Sequence, residues 1–130
     1  MDEVVLGADT TVVIDGRILG KPGGDEDAAA MLRQLAGRAH EVLTGVALRH
    51  GGRTVSAVAC TVVQFARLSE EDLAWYIASG EPRDKAGAYG IQGLASRFIE
   101  RIDGSYTNVV GLPVALVVRL LRDLVSPGRW

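Results

Sequence analysis

The chain has 130 residues, 48% of them hydrophobic and 23% charged, with a formal net charge of −2; this balance excludes a disordered polyelectrolyte and suits a folded unit that buries roughly two-thirds of its unfolded surface. No run of Lys or Arg forms a stripe able to neutralise successive backbone phosphates, so DNA and RNA are not expected partners, whereas a small anion held by a few converging cations is allowed. Cys60 is the only cysteine, which excludes an internal disulfide and a cysteine-based zinc site; among Ala59, Thr61 and Val62 it reads as a small buried hydrophobe.

Val4 to Ile14 is β-branched and apolar on both faces, the pattern of a strand buried in a largely parallel sheet. Asp15-Gly16 suits a two-residue hairpin turn, and Arg17 to Leu19 a short returning strand. After the Gly20 to Gly24 loop, Asp25 is the expected N-cap of an amphipathic helix to Ala36, with Ala28, Met31, Leu32 and Leu35 at helical spacing and Gly37 closing it. Two apolar strands follow, Glu41 to Arg49 and Arg53 to Phe65, turning at His50-Gly51-Gly52 and expected to lie in a sheet covered on both faces. Ser69 and Asp72 form a capping-box start for a helix through Ile77, ended by Gly80 and Pro82. Lys85 to Gly93 reads as an ordered loop. A strand near Phe98 to Ile102, a turn at Asp103-Gly104, a helix from about Pro113 to Leu124 and a frayed tail from Ser126 complete the chain. No apolar stretch reaches the ~20 residues of a membrane helix and no signal peptide is visible, so no membrane partner and a cytoplasmic location are expected.

Asp9 is the first chemical anomaly. An unpaired carboxylate inside an apolar strand costs several kcal/mol, on the order of the desolvation penalty. Such an acid sits at an exposed strand end, pairs with a cation, binds a metal, or faces the edge at a bulge near Gly7. Lys21 lies in GRILGKP, which fails as a phosphate loop: three residues separate Gly16 from Gly20, and Pro22 stands where a magnesium-binding Ser or Thr belongs. Returning on the hairpin arm next to Asp9, Lys21 is compatible with a solvated role and with balancing a carboxylate or phosphate.

GEPRDKAGAYGIQG, Gly80 to Gly93, places Arg83, Asp84 and Lys85 before three glycines that allow close backbone approach to a ligand. A surface loop after a helix end explains it equally well. The Gln92 amide donates and accepts, as a reader of a base edge must. In GSYTNVVGLP, Ser105 and Asn108 suit local backbone bonds. His40 and His50 lie far from any nucleophile pattern, so no triad is visible.

Together GADTTVV (Gly7 to Val13), GRILGKP, MLRQLAGRAHEVLTGV (Met31 to Val46), GEPRDKAGAYGIQG and GSYTNVVGLP (Gly104 to Pro113), in this order, resemble the Maf family of nucleotide pyrophosphatases. The resemblance implies an α/β fold, a mixed twisted sheet flanked by helices of the Maf/inosine triphosphatase-like kind, with residues 1–125 as a single domain and 126–130 as a tail. It implies hydrolysis of a nucleoside triphosphate to monophosphate and pyrophosphate. Asp9 matches the proton acceptor and a candidate ligand of Mg²⁺ or Mn²⁺, Lys21 a lysine facing the phosphates, and Thr10 and Gln92 the positions that set base preference, here as in the branch acting on dTTP and UTP. Lys85 falls in a motif block as a further substrate-binding candidate. Rival readings are a non-enzymatic nucleotide-binding or cell-division regulatory module and an inactive fragment.

Family members open with a strand and a Ser-x-Ser-Pro-Arg-Arg segment that grips phosphate, and the sequence contains no such segment. A late-assigned start, a natural fragment or a half supplied by another chain would each account for it. The expected consequences are an uncovered apolar edge or face, pairing with another chain such as a homodimer, and weak or absent activity.

Overall fold

A computed structural model of the protein describes residues 3–125, so the expected tail from Ser126 lies outside the described residues. Strand β1 (Val4–Ile14) turns into β2 (Arg17–Leu19), followed by helix α1 (Asp25–Leu35), strands β3 (Ala39–His50) and β4 (Arg53–Phe65), and α2 (Glu70–Ala78). Three 3-10 turns, Glu81–Asp84, Ala86–Ala88 and Leu94–Phe98, lead to β5 (Ile99–Asp103), α3 (Tyr106–Val110) and α4 (Val114–Val125). The five strands form one sheet in the order β2-β1-β3-β4-β5. This is the α/β fold of sheet and flanking helices that the sequence indicates.

Every strand pair is antiparallel, against the largely parallel sheet read from β1. The turns explain two of the four pairings, β1–β2 and β3–β4; β1–β3 and β4–β5 are joined through helices and follow from tertiary packing. Asp15 (φ 53) and Gly16 (φ 73), and Gly51 (φ 54) and Gly52 (φ 82), adopt the paired positive φ angles of tight two-residue turns, which fold neighbouring strands back on each other.

Alternation then divides the sheet into two unlike faces. On one face Val12, Ile14, Val42, Val63 and Phe65 pack with Leu32 and Leu35 of α1, Leu73 and Tyr76 of α2, and Phe98. Further along it, Val46 and Leu48 pack against Leu120 and Leu124 of α4. The other face, which carries Gly45, Val58 and Cys60, is open: Val58 is 65% exposed and Val5 58%. The expectation that β3 and β4 are covered on both faces is thereby corrected, and so is the burial of Cys60, whose exposed thiol donates to Glu41 Oε2 at 3.3 Å. An apolar run alone does not report how many faces are covered.

Smaller corrections concern boundaries. Gly24, not Asp25, is the N-cap of α1, and Asp25 joins Glu26 and Asp27 in the acidic first turn. Phe98 ends a 3-10 turn just before β5, and GSYTNVVGLP contains the short helix α3, capped by Ser105 Oγ accepting from the Asn108 N–H. At α2 the capping box of Ser69 and Asp72 forms in full, and Gly80 follows with φ 80.

Candidate functional site

In register, Thr10 faces Thr44, between the pair Val12 and Val42 on one side and Ala8 and Val46 on the other. Val12 and Val42 belong to the larger core cluster and Val46 to the smaller one. Beside Thr10 on this covered face lies a cavity of about 240 Å³, bordered by Thr10, Val42, Lys85, Tyr89, Gln92 and Gly111 among others. This is near the lower end of the ~300–1,000 Å³ typical of ligand pockets, a size suited to one ring system rather than a whole nucleoside triphosphate.

Behind Thr10, outside the cavity lining, runs a buried polar relay. Thr10 Oγ1 lies 2.8 Å from Thr44 Oγ1, and the fully buried Asn108 donates to Thr44 Oγ1 through Nδ2 at 2.7 Å. Thr44 Oγ1 in turn reaches the Asn108 carbonyl at 3.2 Å, and Asn108 Oδ1 has no partner. Tyr89 of the wall is backed by a buried ring cluster that does not itself reach the cavity. His40 is buried edge-on against Phe65 and Tyr89, and its Nε2 lies 2.6 Å from the Tyr89 hydroxyl. Burial pushes the His40 imidazole down to about 4, so it stands there neutral, and burial also raises the Tyr89 phenol. Both groups serve as packing and hydrogen-bonding surface.

The rim carries charge. Lys85 Nζ donates to Asp84 Oδ1 at 3.0 Å, and this bond, then the Lys85 charge, with a smaller contribution from Lys21, holds the Asp84 carboxyl below its usual range. The Lys21 loop is tied to the same segment by the Gly87 N–H donating to the Gly20 carbonyl at 3.1 Å. Two ammonium groups thus act on one rim acid. The glycines here accommodate protein: a Cβ on Gly87 would meet Val12 at 3.0 Å, and one on Gly90 would meet Lys85 Cε at 2.7 Å.

Of the sequence-derived candidates, Thr10, Lys85 and Gln92 come together around the cavity, and Lys21 is exposed on the loop beside Asp84. Asp9 does not join them. Its register partner is Gly45, and its exposed carboxylate borders a shallow depression on the open face with Gly45, Ala47 and Val58. Adjacent strand residues point to opposite faces, so β1 passes between Asp9 and Thr10. Among the described residues β2 pairs with β1 at Val12 to Ile14, and no strand pairs with Val4 to Thr11 on that side; Lys21 lies two residues beyond Leu19, the partner of Val12.

Thr44 and Glu81 escape the sequence reading, as do the long-range partners of His40 and Asn108. Thr44 and His40 are polar residues at buried positions of an alternating strand, a signal readable once the register is known. Glu81 could not be read locally, because its partners Leu94 and Ala95 lie 13 and 14 residues away.

A cavity of base-like size on the covered face of an α/β sheet, bordered by Thr10, Lys85 and Gln92, is the candidate site for a small ligand. Residues 1–124 match the Maf-like protein family, and the chain belongs to it. It is 54% identical over 124 residues to a dTTP/UTP pyrophosphatase of Symbiobacterium thermophilum, an alignment spanning 95% of this chain and 64% of that one. A dTTP/UTP pyrophosphatase of Hahella chejuensis is 56% identical over 128 residues, covering 94% of this chain and 61% of its own. One from Pyrococcus abyssi is 48% identical, with 93% and 65% covered. The chain therefore spans less than two thirds of the length of these three relatives.

Proposed function

We propose that residues 1–125 form one unit carrying the base pocket and general base of a cytoplasmic nucleoside triphosphate pyrophosphatase, which hydrolyses dTTP and UTP to the monophosphate and pyrophosphate. The observation that supports this reading is the placement of Thr10, Lys85 and Gln92 around one base-sized cavity, with Asp9 the residue before Thr10 on β1. A nucleotide laid across β1 places its base against Thr10 and Gln92 and its phosphates towards Lys21 and Lys85. Asp9 then takes the proton of the attacking water. The names of the relatives support the choice of substrates.

Water attacks phosphorus slowly beside a polyanionic chain, so the reaction needs a base and cations. Mg²⁺ or Mn²⁺ is the proposed cofactor. Magnesium is commonly held by one or two carboxylates together with substrate phosphates, and the exposed Asp9 carboxylate fits that mode. Among the described residues no cluster of three or more His, Cys, Asp or Glu offers an alternative all-protein cage. The ion would supply neutralisation of phosphate charge; Asp9, Lys21, Lys85 and the cavity do the positioning.

The separation of Asp9 from the cavity favours one rival, a module that binds nucleotide without hydrolysis. Pyrophosphate release from dTTP and UTP with Mg²⁺ or Mn²⁺, measured for the chain and for Asp9→Asn, tests the assignment. A base role predicts that Asp9→Asn lowers turnover by ~10²–10⁴-fold and leaves nucleotide binding in place. Equal, measurable turnover in both forms rejects the assignment.

A further inference from the structure

Glu81 is not itself a lining residue of the cavity, yet it packs against Gly93 of the lining and holds the segment that carries Gln92. Its Oε1 accepts from the Leu94 N–H at 2.9 Å and its Oε2 from the Ala95 N–H at 3.3 Å. Oε2 also accepts the hydroxyl of Tyr76, and the Gly90 N–H donates to that same hydroxyl at 3.4 Å. A carboxylate on one 3-10 turn and a buried phenol on α2 thus hold both ends of Gly90 to Ala95.

Gly93 is part of the device. A Cβ there would lie 1.9 Å from Glu81 Oε1, so any side chain expels the carboxylate from its bonds. Gly93 itself is in ordinary extended backbone, φ −97 and ψ −150, so the requirement is for space, not for an unusual dihedral. Burial works against the Glu81 charge, but the bonds from Tyr76 and the two amides outweigh it and leave the carboxyl below its usual range.

We propose that Glu81 is a positioning residue for base selection: with the Tyr76 hydroxyl it clamps Gly90 to Ala95, and so keeps the Gln92 amide at the mouth of the base cavity. The assignment rests on the nucleotide reading above and adds the residue that makes it selective. A free loop would let Gln92 leave the cavity, and a misplaced amide neither donates to nor accepts from a base edge.

The test pairs amide exchange with binding. Glu81→Gln keeps shape but replaces one acceptor oxygen by an NH₂ that opposes either the Leu94 N–H or the Ala95 N–H, and Tyr76→Phe removes two bonds, to Glu81 Oε2 and from the Gly90 N–H. In both variants the Leu94 and Ala95 amides exchange faster, by about tenfold or more in Glu81→Gln, while β3 amides keep their protection. In parallel, the preference for dTTP over GTP, titrated without turnover, falls about tenfold in Glu81→Gln. A merely structural role would weaken both nucleotides equally. Unchanged exchange at Leu94 and Ala95 overturns the clamp, and a dTTP preference that survives Glu81→Gln overturns the positioning role alone. Failure of the unaltered chain to bind either nucleotide sinks the nucleotide reading and this inference with it.

Discussion

The two faces of the sheet come from the same strands and nearly the same amino-acid types, yet they have opposite fates. On the covered face Val42, Val63 and Phe65 lie under α1 and α2, whereas one residue out of phase Val58, Val62 and Cys60 meet solvent. The difference teaches that β-branched composition reports strand formation, and that only the helices decide which half of each strand becomes core. It also divides the candidate site residues, because the cavity beside Thr10 lies on the covered side and Asp9 on the other.

The comparison can be broken or sharpened by mutation and by acid. The largest effect belongs to Phe65→Ala on the covered face, where loss of a fully buried ring should cost about 3–5 kcal/mol and bring a much earlier urea midpoint. A loss below about 1 kcal/mol would mean that this face is not the core.

Next comes acidification through His40. Its folded value of about 4 lies below its ordinary 6.5, so between those values the unfolded chain binds the extra proton. Stability is present in full above pH 6.5, declines as pH falls towards 4, and the loss approaches roughly 3 kcal/mol. Urea titrations across that window should show this slope, and His40→Phe should remove it. An unchanged slope in the variant assigns the acid sensitivity elsewhere.

The smallest effect is expected at Val58→Thr on the open face, within about 0.5 kcal/mol by thermal or urea unfolding. A cost of several kcal/mol there would reveal that the face is covered in solution, and the two faces would no longer differ.

Local signals were legible where the physics is local. The positive-φ turns at Asp15-Gly16 and Gly51-Gly52, the capping box at Ser69, and the helical spacing of Met31, Leu32 and Leu35 each involve residues within a few positions of one another. The candidate site was partly legible for the same reason. Thr10, Lys85 and Gln92 stand out as residue types in motif blocks, and the fold collects them around one cavity. Its supports were not: Asn108 reaches Thr44 across 64 positions, and His40 reaches Tyr89 across 49. A polar residue in an apolar strand announces that it needs a partner without naming one.

By itself the sequence determined the elements, their turns and the family, because propensity, capping and glycine placement act over a single turn or hairpin. Tertiary structure alone decided that the sheet is antiparallel with one covered face, that Asp9 and Thr10 look out on opposite sides of β1, and that Glu81 grips the loop of Gln92. These outcomes depend on which distant surfaces meet, and burial is a property of that meeting, not of any residue in isolation.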